Sequence, residues 1–326
     1  MKDLNLKPGL TLRNATMDDL EAVVKLVYDV CADSGDVSNA YSVDELREVW
    51  EDPNLILETD TWVVTTDTGH VVGYEEFYNG DAHAYLLGDG YVHPDFMGQG
   101  IGTAMLRALH KRAEEEMQKA DPDLRVFVRN GMGIGDTVAR EMHEAEGYVP
   151  VRFSWRMEID LEEAPTVLAL PEGIELRPFD EEAHAQLVYE AHEEAFSKNW
   201  GHAFIPFEEW KRRHIETSEY NPELWFVLWD GDDVAAYAVN HYKSDNGWVS
   251  ILGVRPAWRK RGLGLILLEK SFSAFYERGT TNIALAVDAS SPTGATRLYQ
   301  RAGMRVETEY VSYEKELRAG RELDEE

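Results

Sequence analysis

The sequence predicts an α/β fold, a mixed sheet flanked by helices, that occurs twice in tandem. The chain has 326 residues, more than one domain usually contains. Strand-like and helix-like apolar periods alternate in each half. The segment from Trp62 to Tyr74 is matched by the segment from Trp225 to Tyr237, 163 residues later. We therefore expect two copies of one fold, at residues 1–163 and 173–318.

Two further landmarks support the duplication. Leu26-Val-Tyr-Asp is matched by Leu187-Val-Tyr-Glu after 161 residues. Val92-x-Pro followed by Gly100-Ile-Gly is matched by Val254-x-Pro followed by Gly262-Leu-Gly after 162 residues. The landmarks keep the same order at nearly constant spacing, as a tandem duplication requires. Residues 161–173 lie between the copies and are rich in proline and glycine, which is typical of a linker.

The elements of the first copy follow in order from local signals. Thr16 and Asp19 form a capping pattern at the start of an apolar-periodic helix. Asp67-Thr-Gly marks the turn of a hairpin, and Pro53 ends a short helix. The predicted strands are Leu10–Arg13, Trp62–Thr65, Val71–Phe77, Tyr85–Val92, Leu124–Val128 and a closing strand Arg152–Ile159; the predicted helices start at Thr16, Val43, Gly102 and Asp136. The second copy repeats this order from Ile174 to Leu317.

Composition excludes several classes of function. Lys and Arg number 32 against 61 Asp and Glu, a net charge of −29, which argues against a nucleic-acid partner and against anionic membranes. Cys31 is the only cysteine, so an intrachain disulfide and a thiolate metal cluster are excluded. The sequence has no long apolar run and no signal-peptide pattern, so we expect a cytoplasmic protein.

The strongest chemical signal follows the strand that ends at Val254. A turn with the consecutive cations Arg259, Lys260 and Arg261 leads through Gly262 and Gly264 into an apolar helix. Free N–H groups at a glycine turn and at a helix N-terminus bind anions, so a phosphate or pyrophosphate is the expected ligand. A P-loop lacks support because Gly-Lys-Ser/Thr is absent, and a dinucleotide fingerprint would need a third glycine. An ordinary strand-to-helix turn with exposed basic residues is the alternative.

The second signal is Tyr299, on a predicted helix that Gly303 ends. A tyrosine at this place is either a packed helix residue or a phenol that acts as a general acid. Taken together, Arg259-x-x-Gly262-x-Gly264 and Leu298-Tyr299-x-x-x-Gly303 resemble the acyl-CoA loop and the tyrosine motif of the GNAT superfamily of N-acetyltransferases. The resemblance extends over both halves and implies a tandem pair of GNAT folds.

The resemblance implies acetyl-CoA as acyl donor and no metal. It places the pyrophosphate on the N–H groups of Arg261 to Gly264 and implies that Tyr299 protonates the departing thiolate. The family often has Asn seven residues before the tyrosine, where this chain has Pro292 beside Ser291. The implied cofactor contacts are Leu252, Gly253, Val254, Arg259, Lys260, Arg261, Gly262, Leu263, Gly264 and Ser291.

The first copy carries weaker signals for the same chemistry. Met97 occupies the slot of Arg259, and His143 occupies the slot of Tyr299. Residues 1–163 carry 14 basic and 33 acidic residues, net −19, whereas residues 164–326 carry 18 and 28, net −10. An anionic cofactor should prefer the second copy, so we expect it to be catalytic, with His143 as the alternative acid. A second, weaker cofactor site would comprise Val92, Gly98, Gln99, Gly100, Ile101 and Gly102.

The general base is not evident, because the strand Gly247–Val254 contains no carboxylate. His241 is the candidate we place first; Asp245, His192, Glu193 and Glu194 lie nearby. Trp200, His202 and Trp210 resemble an aromatic stretch in the tandem acetyltransferases that include mycothiol synthases and are candidate substrate contacts. The alternative is that these aromatic residues fill the core beneath a helix.

The predicted function is acetyl transfer from acetyl-CoA to a primary amine of a small molecule by direct attack. The charge of −29 favours a cationic amine, or it serves only to keep the protein soluble. The alternatives are an inactive acyl-CoA-binding regulatory or scaffold protein and, more narrowly, a mycothiol synthase. Either a monomer or a homodimer is compatible with a tandem pair.

Overall fold

The computed structural model describes residues 6–37, 40–200, 202, 204–243, 246–291 and 293–323. The chain divides into two compact units. Unit 1 comprises the described residues of Met1–Arg152 and Tyr310–Glu326, and unit 2 comprises those of Phe153–Glu309. Among the described residues, no helix has the length and apolar character needed to cross a membrane.

The first nine elements of the chain that form unit 1 alternate as predicted, with one unpredicted short helix, α3. They are β1 (Leu10–Asn14), α1 (Leu20–Ser34), α2 (Val43–Trp50), α3 (Leu57–Asp60), β2 (Thr61–Thr66), β3 (Val71–Asp81), β4 (Tyr85–Val92), α4 (Ile101–Met117) and β5 (Val126–Gly133). They are followed by α5 (Thr137–Ala145) and by the long strand β6 (Val149–Asp160). The Thr16–Asp19 capping box predicted before α1 is present.

Unit 2 repeats the pattern. Its elements are β7 (Ile174–Pro178), α6 (Glu181–Phe196), α7 (Phe207–His214), β8 (Phe226–Asp230), β9 (Asp233–Lys243), β10 (Asn246–Val254), α8 (Leu263–Glu277), β11 (Asn282–Asp288), α9 (Ala295–Arg301) and β12 (Arg305–Arg318). The strand order is β6-β11-β10-β9-β8-β7 in unit 2 and β1-β2-β3-β4-β5-β12 in unit 1. In each unit one neighbouring pair is parallel, β10 with β11 and β4 with β5.

The last strand of each copy pairs differently from the expectation. The strand predicted at Arg152–Ile159 was expected to close the first copy, but residues 154–160 of β6 pair antiparallel with β11 of unit 2. In turn, Tyr310 to Arg318 of β12 pair with β5 of unit 1. The alternation of apolar and polar side chains defines the faces of a strand but not its partner, so the sequence pattern could not reveal this exchange.

In each unit the sheet separates two apolar clusters. In unit 2, α8 buries Leu263, Ile266 and Leu267 against one face, and α6 and α7 bury Val188 and Trp210 against the other. In unit 1, α4 packs on one face and α1 and α2 on the other. Because successive side chains of a strand point to opposite faces, β9 and β3 each contribute to both clusters. Cys31 is buried in the cluster around α1.

Candidate active site

The turn between β10 and α8 has the same backbone conformation as its counterpart in unit 1. Lys260 and Gly262 have φ angles of +64° and +83°, and Gly98 and Gly100 have φ angles of +70° and +81°. Lys260 therefore adopts a left-handed conformation that L-residues with a side chain rarely occupy, at a position where the other copy has glycine. The turn geometry is retained in both copies, although the cations are present in only one.

The turn presents free backbone donors at the start of α8. Leu265 and Ile266 donate to the carbonyl of Gly262. Within the part of the chain that the structure describes, the N–H groups from Lys260 to Gly264 donate to no backbone carbonyl. Unsatisfied N–H groups and the helix dipole at such a turn favour a bound anion. The residues predicted for the pyrophosphate thus have the geometry that an anion requires.

The three cations of the turn have different roles. The Arg259 guanidinium donates to the carbonyl oxygens of Val254 and Ala195, at 3.1 and 2.7 Å, and so fastens the turn to α6. Lys260 and Arg261 are exposed, and Arg261 lies 3.3 Å from Asp230. The expectation that three cations face the ligand is therefore corrected to two, because Arg259 is committed to backbone carbonyls.

The parallel strands of unit 2 leave an open edge beside this turn. The pairing of β10 with β11 covers Gly247 and Trp248 and does not extend to Leu252, Gly253 and Val254. The backbone groups of these three residues on the β11 side are therefore free to pair with an extended ligand. Gly253 lies under the ring of Tyr237, since a Cβ added at Gly253 would be 2.5 Å from Cε1 of that ring.

The Tyr299 side chain is buried within the α8 cluster of unit 2. Burial raises the pKa of its phenol to about 12, so the hydroxyl carries its proton at neutral pH. Close packing of the helices defines its position, because a Cβ added at Gly264 on α8 would be 3.3 Å from Leu298 on α9. Its hydroxyl makes no hydrogen bond to any residue that the structure describes, so the proton is available to a ligand.

His143 occupies the corresponding position in unit 1 but presents different chemistry. Its Nδ1 lies 2.8 Å from the carbonyl oxygen of Ala139, which can only accept, so Nδ1 carries the proton. Burial lowers the pKa of the imidazole, which is therefore neutral, and Nε2 is a lone pair. Nε2 is buried and has no hydrogen-bond partner among the described residues. In this tautomer His143 has no proton to donate from Nε2, the atom that would face a ligand.

The weaker loop of unit 1 combines a similar backbone with apolar side chains. Met97 is exposed where the second copy has Arg259, and Ile101 is buried. A Cβ added at Gly102 would be 2.9 Å from the sulfur of Met142, so this glycine allows α4 and α5 to pack closely. The carbonyl of Gln99 accepts a hydrogen bond from the N–H of Lys7. Val92 and Gly98 flank the turn as predicted from the repeat.

The structure reveals a histidine cluster that motif analysis did not assemble. The Tyr237 hydroxyl lies 2.7 Å from Nδ1 of His192, and Nε2 of His202 lies 3.1 Å from Oε2 of Glu193. Oε1 of Glu193 is buried and has no hydrogen-bond partner among the described residues. Burial, with His214 and His202 nearby, lowers the pKa of His192 to about 3, so this imidazole is neutral. The contacting residues lie on α6, on β9 and near Trp200, which explains why spacing alone did not connect them.

The remaining predicted residues lie apart from this cluster. His241 pairs across the strands with Trp248, and its Nε2 lies 3.5 Å from Glu219. It is four residues from Tyr237 along β9, about 13 Å at strand spacing. Trp210 is fully buried in the core, whereas Trp200 is 41% exposed. Ser291 lies between β11 and α9, with its hydroxyl 2.9 Å from that of Thr293; Asp245 and Pro292 lie outside the described residues.

Comparison with known proteins agrees with this geometry in both units. Residues 185–304 match the acetyltransferase (GNAT) family, and residues 58–150 match a GNAT acetyltransferase domain. A crystal structure of a GCN5-related N-acetyltransferase from Sphaerobacter thermophilus is 33% identical in sequence. The match covers 98% of this chain and 99% of that one, with a TM-score of 0.83.

The chain belongs to the GNAT acetyltransferase family. Its curated relatives include a mycothiol acetyltransferase from Catenulispora acidiphila, which is 24% identical over 81% of this chain and 84% of the relative. A tandem GNAT protein from the clavulanic acid biosynthesis pathway is 16% identical. It covers 96% of this GNAT chain and 100% of its own length with a TM-score of 0.72, and so shares the fold.

These findings confirm three predictions. The resemblance to tandem GNAT proteins is confirmed by the two matched domains and by the tandem structural relatives. The mixed α/β fold in two copies is confirmed by the structure and by relatives that extend over the whole chain. The prediction that the chain is an N-acetyltransferase is confirmed by the family to which it belongs.

Proposed function

We propose that this GNAT protein transfers an acetyl group from acetyl-CoA to an amine of a small molecule, and that unit 2 performs the transfer. The observation that carries the proposal is the presence, within one unit, of the cationic turn before α8 and the unbonded hydroxyl of Tyr299. In unit 1 the same backbone lacks the cations, and the tautomer of His143 offers no proton.

The residues of unit 2 fit acetyl-CoA in two respects. The free N–H groups from Lys260 to Gly264, with the exposed cations Lys260 and Arg261, suit a pyrophosphate. The edge of Leu252 to Val254 that is unpaired with β11 suits the amides of an extended pantetheine chain. Bound acetyl-CoA would supply an acetyl thioester, whose carbonyl carbon forms the new C–N bond as its C–S bond breaks.

Tyr299 would act as the general acid. Its phenol is protonated at neutral pH and has no competing hydrogen bond among the described residues. The proton of this hydroxyl would pass to the departing sulfur. A positioned acid of this kind contributes roughly 10²–10⁴-fold to a rate.

We propose the pair Tyr237–His192 as the acceptor of the proton that the amine loses. Tyr237 is buried against Gly253, on the strand edge assigned to the thioester arm. Its hydroxyl is hydrogen bonded to a neutral imidazole that can take up a proton. His241, the base suggested by the sequence, remains a candidate, but its position beside Trp248 is a poorer fit to this edge.

The acceptor would lie beside the histidine cluster. The unpartnered Oε1 of Glu193 offers a hydrogen-bond acceptor to an ammonium or hydroxyl group. Trp200 and His202 border this cluster and remain proposed substrate contacts, whereas the burial of Trp210 assigns it to the core. A mycothiol-type acceptor, an amine of a cysteinyl pseudodisaccharide, is a narrower possibility that the names of the curated relatives favour.

The test is release of free CoA from acetyl-CoA with a panel of amines that includes aminosugars, polyamines, amino-terminal peptides and cysteinyl glucosamine derivatives. We expect turnover with at least one amine and its loss in Tyr299→Phe. Tyr276→Phe, on α8, is the matched control and should keep full activity. Binding of acetyl-CoA without turnover of any amine would instead support the inactive binding protein.

A further inference from the structure

Unit 1 contains a group of tyrosines and carboxylates that acetyl transfer in unit 2 does not use. We call the following residues the tyrosine–carboxylate cluster: Tyr41, Tyr74, Glu75, Glu76, Tyr78, Asp89 and Tyr91. Glu76 lies directly opposite Asp89 across β3 and β4, and Tyr74 lies opposite Tyr91. Side chains alternate along a strand, so these four residues share one face of the sheet.

The carboxylates of the cluster are held by tyrosine hydroxyls and by no cation. Glu76 accepts hydrogen bonds from Tyr41, at 3.3 Å, and from Tyr74, and Asp89 accepts one from Tyr91 at 2.8 Å. Among the described residues, no ion pair joins Glu75, Glu76 or Asp89 to a basic side chain. The sequence has no lysine or arginine between Arg47 and Arg107. Buried carboxylates without a counter-ion are costly, so a cation is missing.

Glu75 provides a second, independent indication of a ligand. It is 4% exposed, and its Oε1 has no hydrogen-bond partner among the described residues. Its carboxylate lies over Gly90, where an added Cβ would be 2.3 Å from Oε2. Gly90 is exposed and follows Gly88, the last residue of β4 that pairs with β5. An unsatisfied carboxylate thus extends toward the gap at which β4 leaves β5, beside Asp89.

The other copy shows that the fold does not require these acids. The register that pairs Glu76 with Asp89 pairs Val239 with Ile251 in unit 2. An apolar pair therefore serves at this place in the same fold, so the acidic pair of unit 1 is not explained by folding. Residues that lower stability without a structural need are expected at functional sites.

We propose that the tyrosine–carboxylate cluster binds the ammonium group of a small organic cation. Carboxylates supply the charge, and the faces and hydroxyls of the tyrosines suit an alkylammonium through cation–π contact and hydrogen bonding. A metal ion fits less well. Within the described ranges no three His, Cys, Asp or Glu side chains are arranged to hold one. The site does not depend on transfer in unit 2.

The test is calorimetric titration of the full chain with methylammonium and with 1,5-diaminopentane at physiological salt, with 1,5-pentanediol as the neutral control. We expect saturable binding of at least one amine and none of the diol. Affinity should fall at least tenfold in Glu76→Gln and in Asp89→Asn. Glu114→Gln removes an exposed acid of unit 1 and should leave the affinity unchanged. Tyr299→Phe should also bind normally, which separates this site from the proposed transfer site.

The double variant Glu76→Val with Asp89→Ile transplants the pair of unit 2 and guards against simple misfolding. It should fold, melt at a higher temperature than wild type without amine, and bind no amine. The proposal is overturned if no amine binds, if Mg²⁺ binds there instead, or if the Glu76→Gln and Asp89→Asn variants keep wild-type affinity. A double variant that is less stable than wild type would show that the acids serve the fold.

Discussion

The Tyr237 hydroxyl lies 2.7 Å from Nδ1 of His192, and the ring of Tyr237 covers Gly253 on β10. This relationship connects the strand edge assigned to the thioester arm with a neutral imidazole on α6. The two residues are 45 positions apart in the sequence, so only the fold brings them together. The same imidazole borders His202, which pairs with Glu193.

Tyr237→Phe should lower kcat by roughly 10- to 100-fold, at the low end of the usual effect of acid–base groups, because the proton path to His192 is broken. The affinity for acetyl-CoA should not change, since the ring remains against Gly253. Steady-state kinetics with a turned-over amine and calorimetry with acetyl-CoA separate the two quantities. His241→Gln is the comparison. If it loses more activity than Tyr237→Phe, His241 is the base.

Lys260→Gly should weaken acetyl-CoA binding without weakening the fold. The substitution removes a cation from the turn and relieves a left-handed conformation at φ +64°, which costs an L-residue about 1–2 kcal/mol. We expect several-fold weaker binding of acetyl-CoA and a melting temperature no lower than that of wild type. Lys270→Gly, within α8, should by contrast lower the melting temperature, because glycine is unfavourable inside a helix. An unchanged affinity in Lys260→Gly would exclude this cation from the binding site.

The stability of unit 1 should depend on pH through the tyrosine–carboxylate cluster. Burial, followed by repulsion from Asp89, raises the pKa of Glu76 from 4.5 to about 7, and burial raises the pKa of Asp89 from 3.8 to about 6. Between the unfolded and folded pKa values the folded state binds more protons, so stability decreases as pH rises through about 4 to 7. Thermal melts in this range should show a smaller slope for Glu76→Gln. An equal slope would contradict the buried, unpaired state of Glu76.

Much of the architecture could be predicted from the sequence because duplication supplies its own control. The match of Trp62–Tyr74 to Trp225–Tyr237 identified the two copies, and the glycines of the two turns predicted a shared backbone. The exchange of β6 and β12 could not be predicted, since strand period does not encode the partner strand.

The site was predicted less completely than the fold. The turn at Lys260–Gly264 and Tyr299 are local motifs and were found as such. The role of Arg259 was misjudged, because its carbonyl partners Val254 and Ala195 include one that is 64 residues away. The carboxylates of unit 1 were overlooked because Glu75 and Glu76 resemble surface residues until the fold shows them buried between β4 and the helices.

The central claim is that unit 2 performs the transfer with Tyr299 as its acid. Its most direct test is the rate of CoA release by Tyr299→Phe and by His143→Gln, measured side by side with the same saturating amine and acetyl-CoA. We predict that kcat falls by roughly 10²–10³-fold in Tyr299→Phe and stays within about twofold of wild type in His143→Gln. Loss of activity in His143→Gln with a fully active Tyr299→Phe would place the transfer in unit 1 and contradict the account.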